Sequence, residues 1–117
     1  MKIGAPKEIA EGEARVAMTP ESARELQKLG HSCLIEAGAG AAAGFTDEAY
    51  REAGVEVVGT AAALWKAADV IVKVRPPTEA EAKRLTRDKT LISFFYPAQN
   101  EKLLKLAEGA GATVIAM

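Results

Sequence analysis

A three-layer α/β/α domain with a mainly parallel sheet of five to six strands is the fold class that this chain predicts. Three observations predict it. Short β-rich apolar runs alternate with helical patterns along all 117 residues, which is the signature of repeated βαβ units. Two of the runs, Val70-Ile71-Val72 and Leu91-Ile92, are continuously apolar, as strands covered on both faces by helices are. The helical patterns between them begin with polar capping residues and stop at glycines.

The strand runs are Lys2 to Ala5, Ser32 to Ala37, Val55 to Val58, Asp69 to Val74, Thr90 to Phe95 and Thr113 to Met117. The first helix starts at Thr19-Pro20-Glu21-Ser22, where a hydroxyl can cap and proline occupies the first helical position. Ala23, Leu26 and Leu29 then share one face, and Gly30 ends the helix. Thr46-Asp47-Glu48-Ala49 and Thr78-Glu79-Ala80-Glu81 are further starts, the second after the extended pair Pro76-Pro77. Leu64, Trp65 and Ala68 fit a packed helix, and Asn100 caps another through Leu106 that ends near Gly109 and Gly111. No repeat, linker or internal boundary interrupts the pattern, so residues 1–117 read as a single α/β lobe.

Composition narrows the function. Fifteen basic and 16 acidic residues are spread without blocks, which gives no electrostatic footprint for nucleic acid or an anionic membrane. The start of the chain lacks the apolar core of a signal peptide, and no apolar stretch approaches membrane-spanning length, so a cytosolic location is expected. One cysteine and one histidine cannot form a zinc site or an internal disulfide. Cys33 reads as a buried inert thiol and His31 as a turn residue facing solvent.

Chemistry is expected where strands end in polar groups, because the carboxyl ends of parallel strands face the ligand crevice. The sharpest such break is Leu91-Ile92-Ser93-Phe94-Phe95 giving way to Tyr96-Pro97-Ala98-Gln99-Asn100. Gln99 can donate and accept, which suits a carboxamide or a loop backbone group equally. Lys73 and Arg75 end the fourth run, where a cation needs a reason; the plain one is that Lys73 snorkels to the sheet edge. Arg15 could clamp a carboxylate or phosphate with its planar fork, or pair with Glu13 or Glu8. The run Gly38-Ala39-Gly40-Ala41-Ala42-Ala43-Gly44 follows a strand, but the helix starts later, at Phe45-Thr46-Asp47, and about 20 residues on the chain offers Val58 rather than a ribose-binding acid. A turn allowing close backbone packing explains it better than a dinucleotide fingerprint. No catalytic acid, base or nucleophile and no metal ligand set is expected in this chain.

Lys7-Glu8, the segment Glu13-Ala14-Arg15-Val16-Ala17-Met18-Thr19-Pro20, Gly38-Ala39-Gly40 and the run from Phe94 to Asn100 together resemble the opening of the α subunit of proton-translocating NAD(P) transhydrogenase, an opening shared with alanine dehydrogenase. The resemblance covers essentially the whole chain. Where alanine dehydrogenases carry a catalytic histidine followed by leucine, this chain has Tyr96-Pro97; where they carry a lysine that binds the keto acid, it has Arg75. Both departures favour the transhydrogenase.

The resemblance implies a flavodoxin/Rossmann-like lobe at the N-terminal end of a larger NAD(H)-binding component, whose second, dinucleotide-binding domain is not in this chain. It implies NAD(H) held mainly by that domain, NADP(H) on a partner domain, and hydride transfer coupled to proton movement across a membrane. Further expected partners are the remaining transhydrogenase domains or subunits, including a membrane part, and a second copy of the component. The location implied is cytoplasmic, peripheral to the inner membrane through partner subunits. Gln99, Tyr96, Arg15, Lys73 and Arg75 are the expected cofactor-side residues, contributing one wall of a cleft, and the chain alone is expected to be inactive. The alternatives are an alanine-dehydrogenase-type oxidoreductase and a non-catalytic docking module.

Overall fold

The computed structural model describes residues 1–9, 12–75, 78–86, 89–93, 111 and 113–116. In chain order these form β1 (Lys2–Ala5), α1 (Pro20–Lys28), β2 (Ser32–Glu36), a 3-10 turn (Ala41–Ala43), α2 (Asp47–Glu52), β3 (Glu56–Val58), α3 (Ala61–Ala67), β4 (Val70–Val72), α4 (Glu79–Ala82), β5 (Thr90–Ser93) and β6 (Thr113–Ala116). The expected helix after Asn100 lies outside the described residues.

The six strands form one sheet in the order β3-β2-β1-β4-β5-β6, with every neighbouring pair parallel. This is the Rossmann order, and it reverses between β1 and β4, which makes their carboxyl ends the topological switch point. The strands are shorter than the apolar runs. Asp69, for example, donates its amide to the Lys2 carbonyl and accepts from the Thr90 amide, and Lys73 donates to the Ile92 carbonyl, yet both lie just outside β4.

Helix starts follow the sequence closely. Thr19 and Ser22 form a reciprocal capping box with Pro20 at the first position, Thr46 accepts from the Ala49 amide, and Thr78 and Glu81 cap each other. Thr60 caps α3 by accepting from the Ala63 amide. Sequence reasoning did not single it out, because three alanines follow it and no acid stands in the first turn.

Two apolar clusters sandwich the sheet. Ile3, Ala5, Cys33, Ile35 and Val70 face α1 and α2, together with Ala23 and Tyr50 from those helices. Leu34, Ile71 and Leu91 face the other way, onto Leu64, Trp65 and Ala68 of α3 and onto Leu85. The α3 crossover lies so close to β1 that a Cβ on Gly4 would stand 2.8 Å from the Ala68 Cβ. Val72 and Ile92, on the α1 side, are only half-buried, and Ile115, in register with Ile92, is 48% exposed.

Cys33 is buried, which pushes its thiol pKa up, and it reads as the inert core thiol expected. His31 corrects the expectation of a fully solvent-facing ring: it is half-buried, and its Nδ1 is shielded without a hydrogen-bond partner among the described residues.

Candidate functional site

The segments leaving β1 and β4 meet at the switch point, and charged residues fill it. Glu8, three residues past the end of β1, is buried, and Lys73 immediately follows β4. The Lys73 Nζ donates to Glu8 Oε1 at 3.1 Å and stands 3.4 Å from Glu81 Oε2. Glu8 also accepts from the Val74 amide at 3.0 Å through Oε2 and from the Arg75 amide at 3.1 Å through Oε1. Glu81 is at once the capping partner of Thr78 and the second carboxylate on Lys73. Charges taken out of water are tolerated when each has close partners of opposite sign and its remaining lone pairs are bonded, and this cluster meets both conditions.

A second cluster lies nearer solvent. Glu13 Oε1 accepts from an Arg15 Nη at 2.8 Å and from Arg75 Nε at 2.8 Å, while Oε2 accepts from the Arg15 amide at 2.9 Å and Nε at 3.0 Å. The Arg15 guanidinium, its backbone amide and then the Arg75 guanidinium hold the Glu13 carboxyl well below the usual carboxylate range. Glu8 thus bonds the backbone of Arg75 while Glu13 bonds its side chain, so the two clusters are joined through one residue. A cavity of about 140 Å³ opens between them, lined by Lys7, Glu8, Glu13, Arg15 and the Gly38-Ala39 turn.

The glycine-rich run forms the neighbouring wall, beyond β2. A pyrophosphate cradle needs free backbone amides at a helix start. Here the Gly38 amide donates to Asp47 Oδ1 at 2.8 Å, and the amides of Ala39, Ala41, Ala43, Gly44 and Phe45 donate to carbonyls of residues 36–41. Gly40 is required for packing: a Cβ there would lie 2.6 Å from the Tyr50 ring. Tyr50 itself donates its hydroxyl to the Met18 carbonyl at 2.7 Å and meets Phe45 edge-to-face, and burial, followed by the Asp47 charge, pushes its phenol up to about 12. The run therefore does not fit a dinucleotide pyrophosphate; Gly40 serves close packing, while Gly38 and Gly44 take the positive φ that their turns need.

Of the five residues singled out from the sequence, Arg15, Lys73 and Arg75 converge on this crevice. Tyr96 and Gln99 lie outside the described residues. Lys73 does not snorkel to the edge; its side chain is 1% exposed and its ammonium sits between two carboxylates. Arg15 takes the ion pair with Glu13 that its neighbourhood suggested. Sequence reasoning missed Glu81, which reads as an ordinary capping acid, and it missed the Glu8–Lys73 pair. The available signal was the lysine in an apolar run, which demands a buried acid. Nothing linear points to one 65 positions earlier.

Residues 4–117 match the family model described as alanine dehydrogenase/PNT, N-terminal domain. The chain is 69% identical over its full length to the NAD(P) transhydrogenase subunit alpha of Cereibacter sphaeroides, of which it spans 22%. It is 43% identical, over 99% of its length, to the alanine dehydrogenase of Halomonas elongata, spanning 31% of that protein. The solved transhydrogenase from Sinorhizobium meliloti superposes with a TM-score of 0.93 at 38% identity, covering 99% of this chain and 34% of that one.

Proposed function

The chain belongs to the alanine dehydrogenase/PNT N-terminal domain family, and from that premise we propose that it forms the first lobe of the NAD(H)-binding component of a proton-translocating NAD(P) transhydrogenase. The observation that carries the choice within the family is the 69% identity to a transhydrogenase α subunit over the whole chain, against 43% to an alanine dehydrogenase. In the full assembly hydride passes between NAD(H) on this component and NADP(H) on a partner domain, and membrane parts couple the transfer to proton movement. The component pairs with a second copy and sits on the cytoplasmic side of the inner membrane through its partners.

This lobe supplies one wall of the cleft rather than the chemistry. Arg15 and Arg75 share the carboxylate of Glu13, so a small keto acid seeking either guanidinium would compete with a carboxylate already in place. The charge of the wall is compensated without a substrate acid, which suits a site whose task is to orient a nicotinamide. Lys73 holds the base of the wall from within. Tyr96, standing where the dehydrogenases carry a catalytic histidine, needs no proton to manage, and Gln99 is suited to the nicotinamide carboxamide.

The test is made in the full-length protein with its partner domain. Hydride transfer between NAD(H) and NADP(H), without oxidation of alanine, is the expected result. Oxidation of alanine with NAD at rates typical of enzymes would replace this reading with the alanine-dehydrogenase one. The isolated 117-residue chain is expected to show no saturable NAD(H) binding by calorimetry in the micromolar range, which corresponds to about 8 kcal/mol.

A further inference from the structure

The end of the sheet opposite the crevice carries a larger cavity, of about 360 Å³, formed by Ala62, Trp65 and Lys66 of α3 together with Arg84, Thr86 and Lys89 ahead of β5. Three of these six residues are cations, and no acid lines the cavity among the described residues. Lys89 is buried and its Nζ donates to the carbonyls of Lys66 at 3.0 Å and Ala68 at 2.6 Å, which fixes a positive charge in the wall without neutralising it. Lys66 and Arg84 are exposed at the rim and have no ion-pair partner among the described residues. Trp65 is 1% exposed, and its indole N–H is shielded from solvent without a hydrogen-bond acceptor among the described residues. A buried donor left unsatisfied is costly and in a native protein calls for an explanation such as an unseen ligand or water.

The geometry points to a binding site for a phosphate-bearing small molecule at this end of the sheet. The two rim cations match the charge of a phosphate dianion, with Arg84 able to present paired donors to its oxygens. Lys89 adds a fixed positive field from below. The indole and Ala62 give the cavity an apolar side, and its volume exceeds that of phosphate alone, leaving room for an organic group. The site shares no residue with the crevice, so it stands or falls independently of the function proposed for the lobe.

Trp65 is the only tryptophan in the chain, so its fluorescence and its single indole N–H resonance report on this cavity alone. The 117-residue chain is titrated with inorganic phosphate at constant ionic strength, with chloride as the matched control. A saturable shift of the indole resonance with phosphate but not chloride is expected, with a Kd in the millimolar range or tighter. The double variant Lys66→Gln/Arg84→Gln, whose exposed side chains the fold does not need, is expected to weaken it by about tenfold or more. Absence of a saturable shift, or an undiminished one in the double variant with an unchanged circular dichroism spectrum, would overturn the proposal.

Discussion

The two ends of the sheet each bury a lysine, and they solve the problem differently. At the crevice, Lys73 is 2% exposed and meets the carboxylates of Glu8 and Glu81; at the far end, Lys89 is 6% exposed and meets backbone carbonyls at the end of α3. Both ammonium groups are hydrogen-bonded, as buried charges must be. Carboxylates cancel the charge, whereas carbonyls satisfy the donors and leave it in place. The crevice end is therefore internally compensated and fixed, and the far-end cavity keeps the Lys89 charge uncancelled among its described lining residues. Charged residues at a strand's carboxyl end need not face a ligand, and those at the quieter end can.

The largest expected effect tests the compensated end. Lys73→Met leaves two buried carboxylates without their cation and is expected to destabilise the chain by about 3–5 kcal/mol in urea unfolding. A loss under about 1 kcal/mol would mean that the cluster is far better hydrated than its burial implies. Lys89→Met removes only hydrogen bonds from a charged donor to carbonyls, with an expected cost of about 1.5–3 kcal/mol. If it matches or exceeds Lys73→Met, the contrast between the two ends fails.

A third effect is read in pH. The Glu13 carboxyl is held below its ordinary value of 4.5 in the folded chain. Its contribution is therefore present above that value and is lost as pH falls below it toward the lowered one. Glu13→Gln is expected to flatten the acid limb of the stability profile while leaving the alkaline limb unchanged. An unchanged acid limb would show that Arg15 and Arg75 do not hold the carboxylate in solution. Smallest of all, Lys66→Gln and Arg84→Gln at the far end should each alter stability by no more than about 0.5 kcal/mol, since neither side chain has an ion-pair partner among the described residues.

Much of the architecture was legible locally. The apolar runs placed all six strands, and Thr19-Pro20, Thr46 and Thr78 placed helix starts, because strand burial and helix capping depend on residues within a few positions of one another. The candidate site was legible in part. Lys73 and Arg75 stood out as charges at the end of a strand run and Arg15 as a cation in the long first connection, and parallel topology was enough to bring them to one edge.

The sequence by itself thus determined the element types, the parallel α/β class and the family, each of which rests on short patterns and spacings. Only the tertiary structure decided the strand order, the pairing of Glu8 with Lys73 and the use of Glu81 as both cap and counter-ion. It also decided that the glycine run spends its amides on its own turn and on Asp47, and that the lone indole N–H has no acceptor among the described residues. The physical reason is common to all of these. A hydrogen bond or ion pair between positions 65 apart is set by how the crossover helix packs across the sheet, and local sequence carries no record of which distant partner the packing will deliver.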